Sequence, residues 1–509
     1  MRSSSYSPSA NEAIGGRVAI LLLLFALAIF SFIRSGFSAF ATICMVPVFI
    51  GIICLTFRYR MFLFWTLCCV NFILQMKSFT YLPSGVPMSL YNEALSILLL
   101  ALAIIDVKET RFERAANFML FSIIILCSFC TLEVLNNTWG LWIDIGSWYT
   151  GARLMAFQLM YAFLVFTIYI NTPRNLIKYL FLWGGFIVFA AFWIWKQQIF
   201  GFTDVENSWI QTRGRSTHIL QGGSLIRYFS VFSDAASAGI HLASAAVAFI
   251  IFGITSKIKK YRYLFFAIGI ASAWAMFPTG TRTAIFCMLA GFLAYTVLSK
   301  SVKLTAIIGT AGFLFFLMLA FTNIGNGNSQ IRRMRSAFDR GDASANVRTY
   351  NQSVMKKYLA DAPFGLGIGI DAEKVPANNK YYKLSTIPPD SEYVFIWVHT
   401  GVVGIIIFLI TTIMMFCGAS YVVMFRLRSP SLRGIGAGLC CAFVSMQLGG
   451  YGNQVLMQFP NYLVFYGGLS IVYVLPFFEK EWQEFEEEKL AQQAERARIK
   501  AEKKKAKRV

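Results

Sequence analysis

The run Pro388-Pro389-Asp390-Ser391-Glu392-Tyr393 ends a polar segment and turns back into apolar sequence, through Val394-Phe395-Ile396-Trp397-Val398 and on to Met424. The polar segment opens at Thr322, directly after an apolar run that ends at Phe321. At about seventy residues it far exceeds an ordinary connection between helices, which marks it as a folded, working part of the chain. Everything on either side of it is apolar in long blocks.

Those blocks set the class. Of the 509 residues, 57% are hydrophobic and 14% charged, and the mean hydropathy is +0.59, a composition that excludes a soluble globule. Apolar runs are expected as helices near 18–33, 36–57, 61–76, 88–105, 117–135, 151–171, 176–198, 240–255, 262–278, 282–299, 303–321, 393–424, 434–450 and 460–477. Each is of a length that crosses a bilayer, giving about fourteen spans with a range of about 12 to 14. The fold class expected is all-α, a polytopic integral membrane protein with a large, partly helical outer loop. The first run lacks a small-residue cleavage site and reads as a retained helix, not a signal peptide.

A net charge of +21 would suggest nucleic acid in a soluble chain, but its distribution points to a membrane instead. Arg58, Arg60, Lys108, Arg111, Arg114, Arg174, Lys178, Lys257, Lys259, Lys260, Arg262, Lys300, Lys303, Arg426, Arg428 and Arg433 fall on alternate loops. The positive-inside rule then puts both termini in the cytoplasm. The ten cysteines lie in or beside apolar runs without zinc-type spacing, so they read as small core residues.

The organisation follows as a cytoplasmic tail at 1–17, membrane helices at 18–200, an outer loop at 201–228, central membrane helices at 229–321, the large outer loop at 322–392, membrane helices at 393–478 and a charged tail at 479–509. That tail has strong helix formers and reads as a solvated cytoplasmic helix whose basic end can touch anionic lipid. Trp139, Trp142 and Trp148 read as headgroup markers. Trp209, Tyr381 and Tyr382 are candidates for sugar stacking or headgroup anchoring. The Gly365, Gly367 and Gly369 alternation reads as a bend in the outer loop.

Chemistry concentrates on the outer side. Arg213, Arg215, Arg227, Arg282 and Arg348, with Asp390 and Glu392, stand where the outer loops can converge. Arginine forks suit a diphosphate, and a carboxylate at the return to the membrane suits removal of a hydroxyl proton. Arg282, at the mouth of a span in Thr279-Gly280-Thr281-Arg282-Thr283, is costly in that position unless paired or functional. Arg332, Arg333, Arg335 and Arg340 read as a solvated or lipid-facing run, and His399 as a satisfied helix histidine.

Four blocks in order resemble the O-antigen ligase and Wzy-type O-antigen polymerase superfamily. They are Phe232-Ser233-Asp234 through Gly239, Thr279-Gly280-Thr281-Arg282-Thr283-Ala284, Arg348 with Ala362-Pro363-Phe364-Gly365-Leu366-Gly367, and Asp390-Ser391 followed by nine residues and Gly401-Val402-Val403-Gly404. The last keeps the ligase spacing but has Asp390 where the ligases have histidine, which makes the chain look more like a polymerase.

The resemblance implies an enzyme of the bacterial inner membrane with a periplasmic active site, in which the outer loops are periplasmic. It would join oligosaccharide repeat units carried on undecaprenyl diphosphate, for O-antigen, capsule or exopolysaccharide. Arg282 and Arg348 would hold the donor diphosphate, Asp390 or Glu392 would act on the acceptor, and Arg213, Arg215, Arg227 and Ser391 would assist in binding. No metal or other cofactor is called for. Expected partners are the lipid-linked oligosaccharide and membrane lipid, with a chain-length regulator and a flippase, and no nucleic acid. The alternatives are a ligase or protein O-oligosaccharyltransferase of the same fold and, in another class, a lipid-linked oligosaccharide flippase or transporter, for which Glu93 and Asp234 are the acidic residues available to couple ions.

Overall fold

The computed structural model describes residues 26, 51, 59–73, 88–106, 110–141, 144–214, 218–219, 226–336, 343–368, 375–387 and 389–506. The chain divides into two units, Met1–Trp65 and Thr66–Val509. In the first, the longest described stretch is the start of the Arg60–Ile73 helix, where the Phe64 and Trp65 rings meet edge to face at 5.0 Å. The expected runs at 18–33 and 36–57 fall almost wholly outside the described residues.

Among the described residues every extended element is helical, and the one β contact is an isolated antiparallel bridge between Ile219 and Ile226. Eight helices are long and apolar enough to cross a membrane: Phe118–Leu135, Ile145–Tyr169, Pro173–Ile199, Ala235–Thr255, Arg282–Ser299, Glu392–Arg426, Pro430–Gly452 and Tyr462–Lys500. Shorter apolar helices cover Arg60–Ile73, Tyr91–Ile105 and Ala306–Phe321. The expected span at 262–278 is present as the Lys259–Met276 helix, but Lys259, Lys260 and Arg262 occupy its first turn. Of the fourteen expected runs, eight thus meet both length and composition among the described residues.

The core is built around Ala235–Thr255, buried along almost its whole length. It packs against Lys259–Met276, Arg282–Ser299 and Pro430–Gly452. Lipid and helix are equally apolar, so close backbone approach and buried hydrogen bonds hold such a bundle together. A Cβ on Gly438 would lie 2.5 Å from the Phe252 ring, and one on Gly291 2.9 Å from Val247. Ser244 and Ser445 join their helices at 3.0 Å, and the Ser272 hydroxyl donates to the Leu242 carbonyl at 2.7 Å.

Over one end of the bundle lies a layer with its own apolar centre. Trp139, Met355, Leu359, Leu366, Tyr381 and Leu384 are buried together there, with the Trp139 and Tyr381 rings edge to face at 6.1 Å. This corrects the reading of Trp139 as a headgroup marker and of Tyr381 as a candidate for sugar stacking or headgroup anchoring. Large flat side chains are what a small layer needs to bury enough apolar area. Trp148 likewise sits inside a helix, its indole N–H donating to the Cys130 carbonyl at 2.9 Å, because Ile145–Tyr169 begins earlier than expected.

The described part of the expected loop at 201–228 is folded too. A capping box of Thr203 and Glu206 opens the Asp204–Trp209 helix. The buried Glu206 carboxylate also accepts from Trp193 and Gln197, both at 2.8 Å. At the opposite end of the chain, the charged tail continues the last span as Glu479–Ala506. Its first turns are anchored, not solvated: Glu479 accepts from the Arg428 and Ser429 amides, the Trp482 indole donates to Ser431, and Lys257 pairs with Glu486 at 2.9 Å.

Candidate active site

Asp234 caps the central helix, its Oδ1 accepting from the amides of Ala236 and Ser237 at 2.8 Å each. Against that helix start lies the turn Thr279-Gly280-Thr281. The Thr281 hydroxyl donates to the Ala235 carbonyl at 2.7 Å. A side chain at position 239 would collide with this turn, since a Cβ there would lie 2.5 Å from Thr279 Oγ1. The small residue at Gly239 is thus what lets the turn approach. Gly280 takes the left-handed conformation at φ 61°, which only glycine adopts without strain.

Arginines surround this turn. Arg227 Nε–H donates to the Thr279 carbonyl and its Nη2–H to Thr281 Oγ1, both at 3.1 Å. Arg333 Nε–H donates to the Gly280 carbonyl at 3.3 Å. Arg282 opens the next span and donates to the carbonyl and the hydroxyl of Ser336 at 3.3 and 3.2 Å. Burial and the positive charge of Arg333 and Arg282 lower the Arg227 guanidinium to about 10, with Asp234 acting the other way. It stays charged at neutral pH; burial is the main cause of the lowering, and the neighbouring guanidiniums add to it.

Arg333 was not expected here, and the geometry explains why. Asn328 caps a short helix, Ser329–Arg335, on which neighbouring arginines face different ways. Arg332 and Arg335, three apart, turn back on the loop: Arg332 bonds the Asn326 carbonyl, and Arg335 bonds the carbonyls of Leu319, Met318 and Ile324. Arg335 thereby neutralises the negative end of the Val302–Phe321 helix. Arg333 and Ser336, also three apart, face the turn. A contiguous run of like residues gives no sequence signal for this division. Arg340 lies outside the described residues.

The second part of the site is the return to the membrane. Asp390 is half-buried, and among the described residues its carboxylate has no hydrogen-bonding or ionic partner. Ser391 is buried, its hydroxyl donating to the Gly450 carbonyl at 3.1 Å. Glu392 is buried, its carboxylate accepting from the Leu456 amide at 3.0 Å. Gly450 and Gly452 end the helix that packs on Arg282–Ser299, and a Cβ on Gly452 would lie 2.6 Å from Thr283 Oγ1. Through these contacts Asp390 and Arg282 share one rim of the bundle.

Behind Asp390 the helix Glu392–Tyr421 breaks at Gly401, φ 65° and ψ −165°. The break frees the carbonyls of Val398 and His399, and the amides of Leu366 and Gly367 donate to them at 3.0 and 2.9 Å. In return the Val403 amide donates to the Pro363 carbonyl at 3.1 Å. His399 Nδ1 bonds the Gly367 carbonyl at 2.9 Å, so it is a satisfied helix histidine as expected. Gly365-Leu366-Gly367 is therefore a bend, as expected, with a purpose the sequence did not disclose: it completes the backbone bonding of a broken helix.

Arg348 stands half-exposed on the Ala343–Leu359 helix, and among the described residues no bond joins it to the arginines of the turn. The backbone of Arg213 lies in the Ile210–Gly214 turn, its side chain outside the described residues, as is the whole of Arg215. Glu93 pairs with Arg153 at 3.6 Å and accepts from the Tyr149 hydroxyl at 2.7 Å, so with Asp234 at its cap both acids weighed for ion coupling are engaged in structure.

No curated protein matches the chain. A protein-family model described as O-antigen ligase matches residues 267–409. The match takes in the glycine turn, Arg282, the Ser329–Arg335 helix, the Gly365 bend and the Gly401 break, which are the parts that meet in the site. Over this segment the chain is similar to the O-antigen ligase family, which supports the resemblance to the O-antigen ligase and Wzy-type superfamily carried by its sequence motifs.

Proposed function

We propose that the protein is a Wzy-type polysaccharide polymerase. It joins repeat units carried on undecaprenyl diphosphate at the periplasmic face of the bacterial inner membrane. The observation that carries this reading is the convergence of Arg227, Arg282 and Arg333 around one turn at the mouth of a span, on the rim that also bears Asp390.

The donor diphosphate lies against the arginine turn, with Arg348 as a further cation from the outer layer. Crowded guanidiniums are relieved by an anion, and they stabilise it further as charge develops on the leaving group. Asp390 accepts the proton of the acceptor hydroxyl. The hydroxyl oxygen bonds to the anomeric carbon, the carbon–oxygen bond to the diphosphate breaks, and undecaprenyl diphosphate departs with the electron pair. The positive charge comes from arginine, so the reaction proceeds without a metal.

The test is purified protein in nanodiscs with a lipid-diphosphate-linked repeat unit and EDTA, followed by product length on a gel. A ladder of repeat multiples is the expected result. The description of the matching family as O-antigen ligase favours one other outcome. Product only on addition of a lipid A core or protein acceptor would replace the polymerase reading with a ligase that uses Asp390 in place of histidine. Movement of the lipid-linked sugar across vesicles with no change in its length would replace both with a carrier.

A further inference from the structure

At the end of the bundle opposite the arginine turn there is a second cationic site. The Glu392–Tyr421 helix rises by about 1.5 Å per residue, so its far end lies on the order of 40 Å from Glu392, at the other membrane boundary. There a cavity of about 630 Å³ opens between the start of the Phe118–Leu132 helix, the end of the Glu392–Arg426 segment and the Tyr473–Phe477 stretch. Arg114, Phe118, Tyr421, Arg426, Tyr473 and Phe477 line it.

Arg114 is the informative residue. It is 8% exposed, and among the described residues its Nε–H has no acceptor. One terminal nitrogen donates to the Asn171 carbonyl at a long 3.4 Å, and the guanidinium stands 5.7 Å from the centre of the Phe477 ring. A buried guanidinium with an idle donor is expensive, and an anionic oxygen is its natural complement. Burial and the neighbouring Arg111 both disfavour its charge, while Glu481 favours it. Arg426 adds a second, exposed cation, and the nearby Glu479 is already engaged by the Arg428 and Ser429 amides.

The walls indicate the rest of the ligand. Phe118, Tyr421 and Phe477 are each more than half exposed, at 51%, 56% and 54%. Aromatic faces of this size beside a pair of guanidiniums, on the outside of a membrane bundle, suit a molecule with a charged head and an apolar body. The volume is also far more than an inorganic phosphate fills.

We infer that this cavity binds the headgroup of an anionic phospholipid, its phosphate on Arg114 and Arg426 and its glycerol and upper acyl segments along Phe118, Tyr421 and Phe477. The lipid would tie the start of one helix to the ends of two others, at the end from which the charged tail departs. The inference is independent of the sugar chemistry at the other rim.

The full-length protein in detergent is titrated with phosphatidylglycerol, phosphatidylcholine or sn-glycerol 3-phosphate, with bound lipid counted by native mass spectrometry and Tm followed in parallel. Phosphatidylglycerol is expected to bind and raise Tm where phosphatidylcholine does not. Arg426→Gln, at an exposed position that does not threaten folding, should weaken phosphatidylglycerol by about fivefold, and Arg426→Lys should restore most of it. Arg114→Gln should weaken it more. Equal protection by glycerol phosphate alone would uphold the cation site but assign it to a soluble phosphate. Equal binding of the two lipids, or unchanged phosphatidylglycerol affinity in Arg426→Gln and Arg114→Gln, would overturn the inference.

Discussion

Gly365 and Gly401 meet backbone to backbone. A Cβ on Gly365 would lie 2.6 Å from the His399 carbonyl carbon and would overlap the Gly401 nitrogen, and one on Gly401 would overlap the Pro363 carbonyl. Both residues have positive φ, 73° and 65°. This contact locks the outer layer onto the broken helix that begins beside Asp390.

Replacing either glycine with alanine therefore combines backbone strain with an overlap that no rotamer relieves. Gly401→Ala and Gly365→Ala should each destabilise the protein by about 2–5 kcal/mol, read as a lower Tm and faster proteolysis of the outer layer. Gly185→Ala, in a helix where an added Cβ meets nothing within 4 Å, is the control and should leave Tm unchanged or slightly raised. A Gly401→Ala protein with wild-type Tm would contradict this account of the break.

Arg333→Ala should reduce polymer formation about as much as Arg282→Ala, by about 100-fold or more, the effect of removing one preorganised donor to a developing anion. Arg335→Ala should instead lower Tm, because Arg335 caps the Val302–Phe321 helix. Single-turnover rates and melting curves on the three variants separate the two roles. Equal rates for Arg333→Ala and wild type would remove Arg333 from the donor site.

Asp390→Asn keeps size and hydrogen-bonding shape but cannot take a proton, so the rate of the chemical step should fall by about 100- to 10,000-fold with membrane insertion intact. A rate near wild type would move the proton elsewhere, to another carboxylate or to the substrate itself.

The Glu392 carboxylate accepts from the Leu456 amide, and we propose that it positions that backbone rather than acting on the acceptor. Glu392→Gln retains an acceptor for that amide and should stay within about tenfold of wild-type rate, whereas Glu392→Ala leaves a buried donor unmatched and should lose about 1–3 kcal/mol of stability. If Glu392→Gln were as inactive as Asp390→Asn with an unchanged Tm, Glu392 would be acting chemically.

Trp139→Ala removes the largest ring from the centre of the outer layer and should cost about 3–5 kcal/mol, seen as protease cleavage within 343–387 at temperatures where the wild type resists. A residue that only marked the headgroup level would show no such change.

The helices were legible because a membrane demands long apolar runs with internally satisfied backbones, and such runs are visible without any partner. The expected segments at 282–299 and 393–424 correspond closely to Arg282–Ser299 and Glu392–Arg426. Arg282 and Asp390 stood out for a related reason, as charges at the ends of such runs. Arg333 did not, because its distinction from Arg332 and Arg335 is a matter of which side of a two-turn helix faces the Gly280 turn. Trp139 and Tyr381 were misread for the same cause, their burial depending on one another across a separation of more than two hundred residues.

The sequence by itself determined the membrane class, the alternation of charged loops and the likeness of residues 267–409 to the O-antigen ligase family. Each rests on composition or on short ordered motifs, which are properties of the chain taken in order. Only the tertiary structure decided which arginines share a turn, which carboxylate has no partner among the described residues, and why Gly365 and Gly401 must both be glycine. Those outcomes depend on contacts between segments distant in sequence, and the physics that selects them, close approach of two backbones and crowding of like charge, has no trace along the chain until the segments meet.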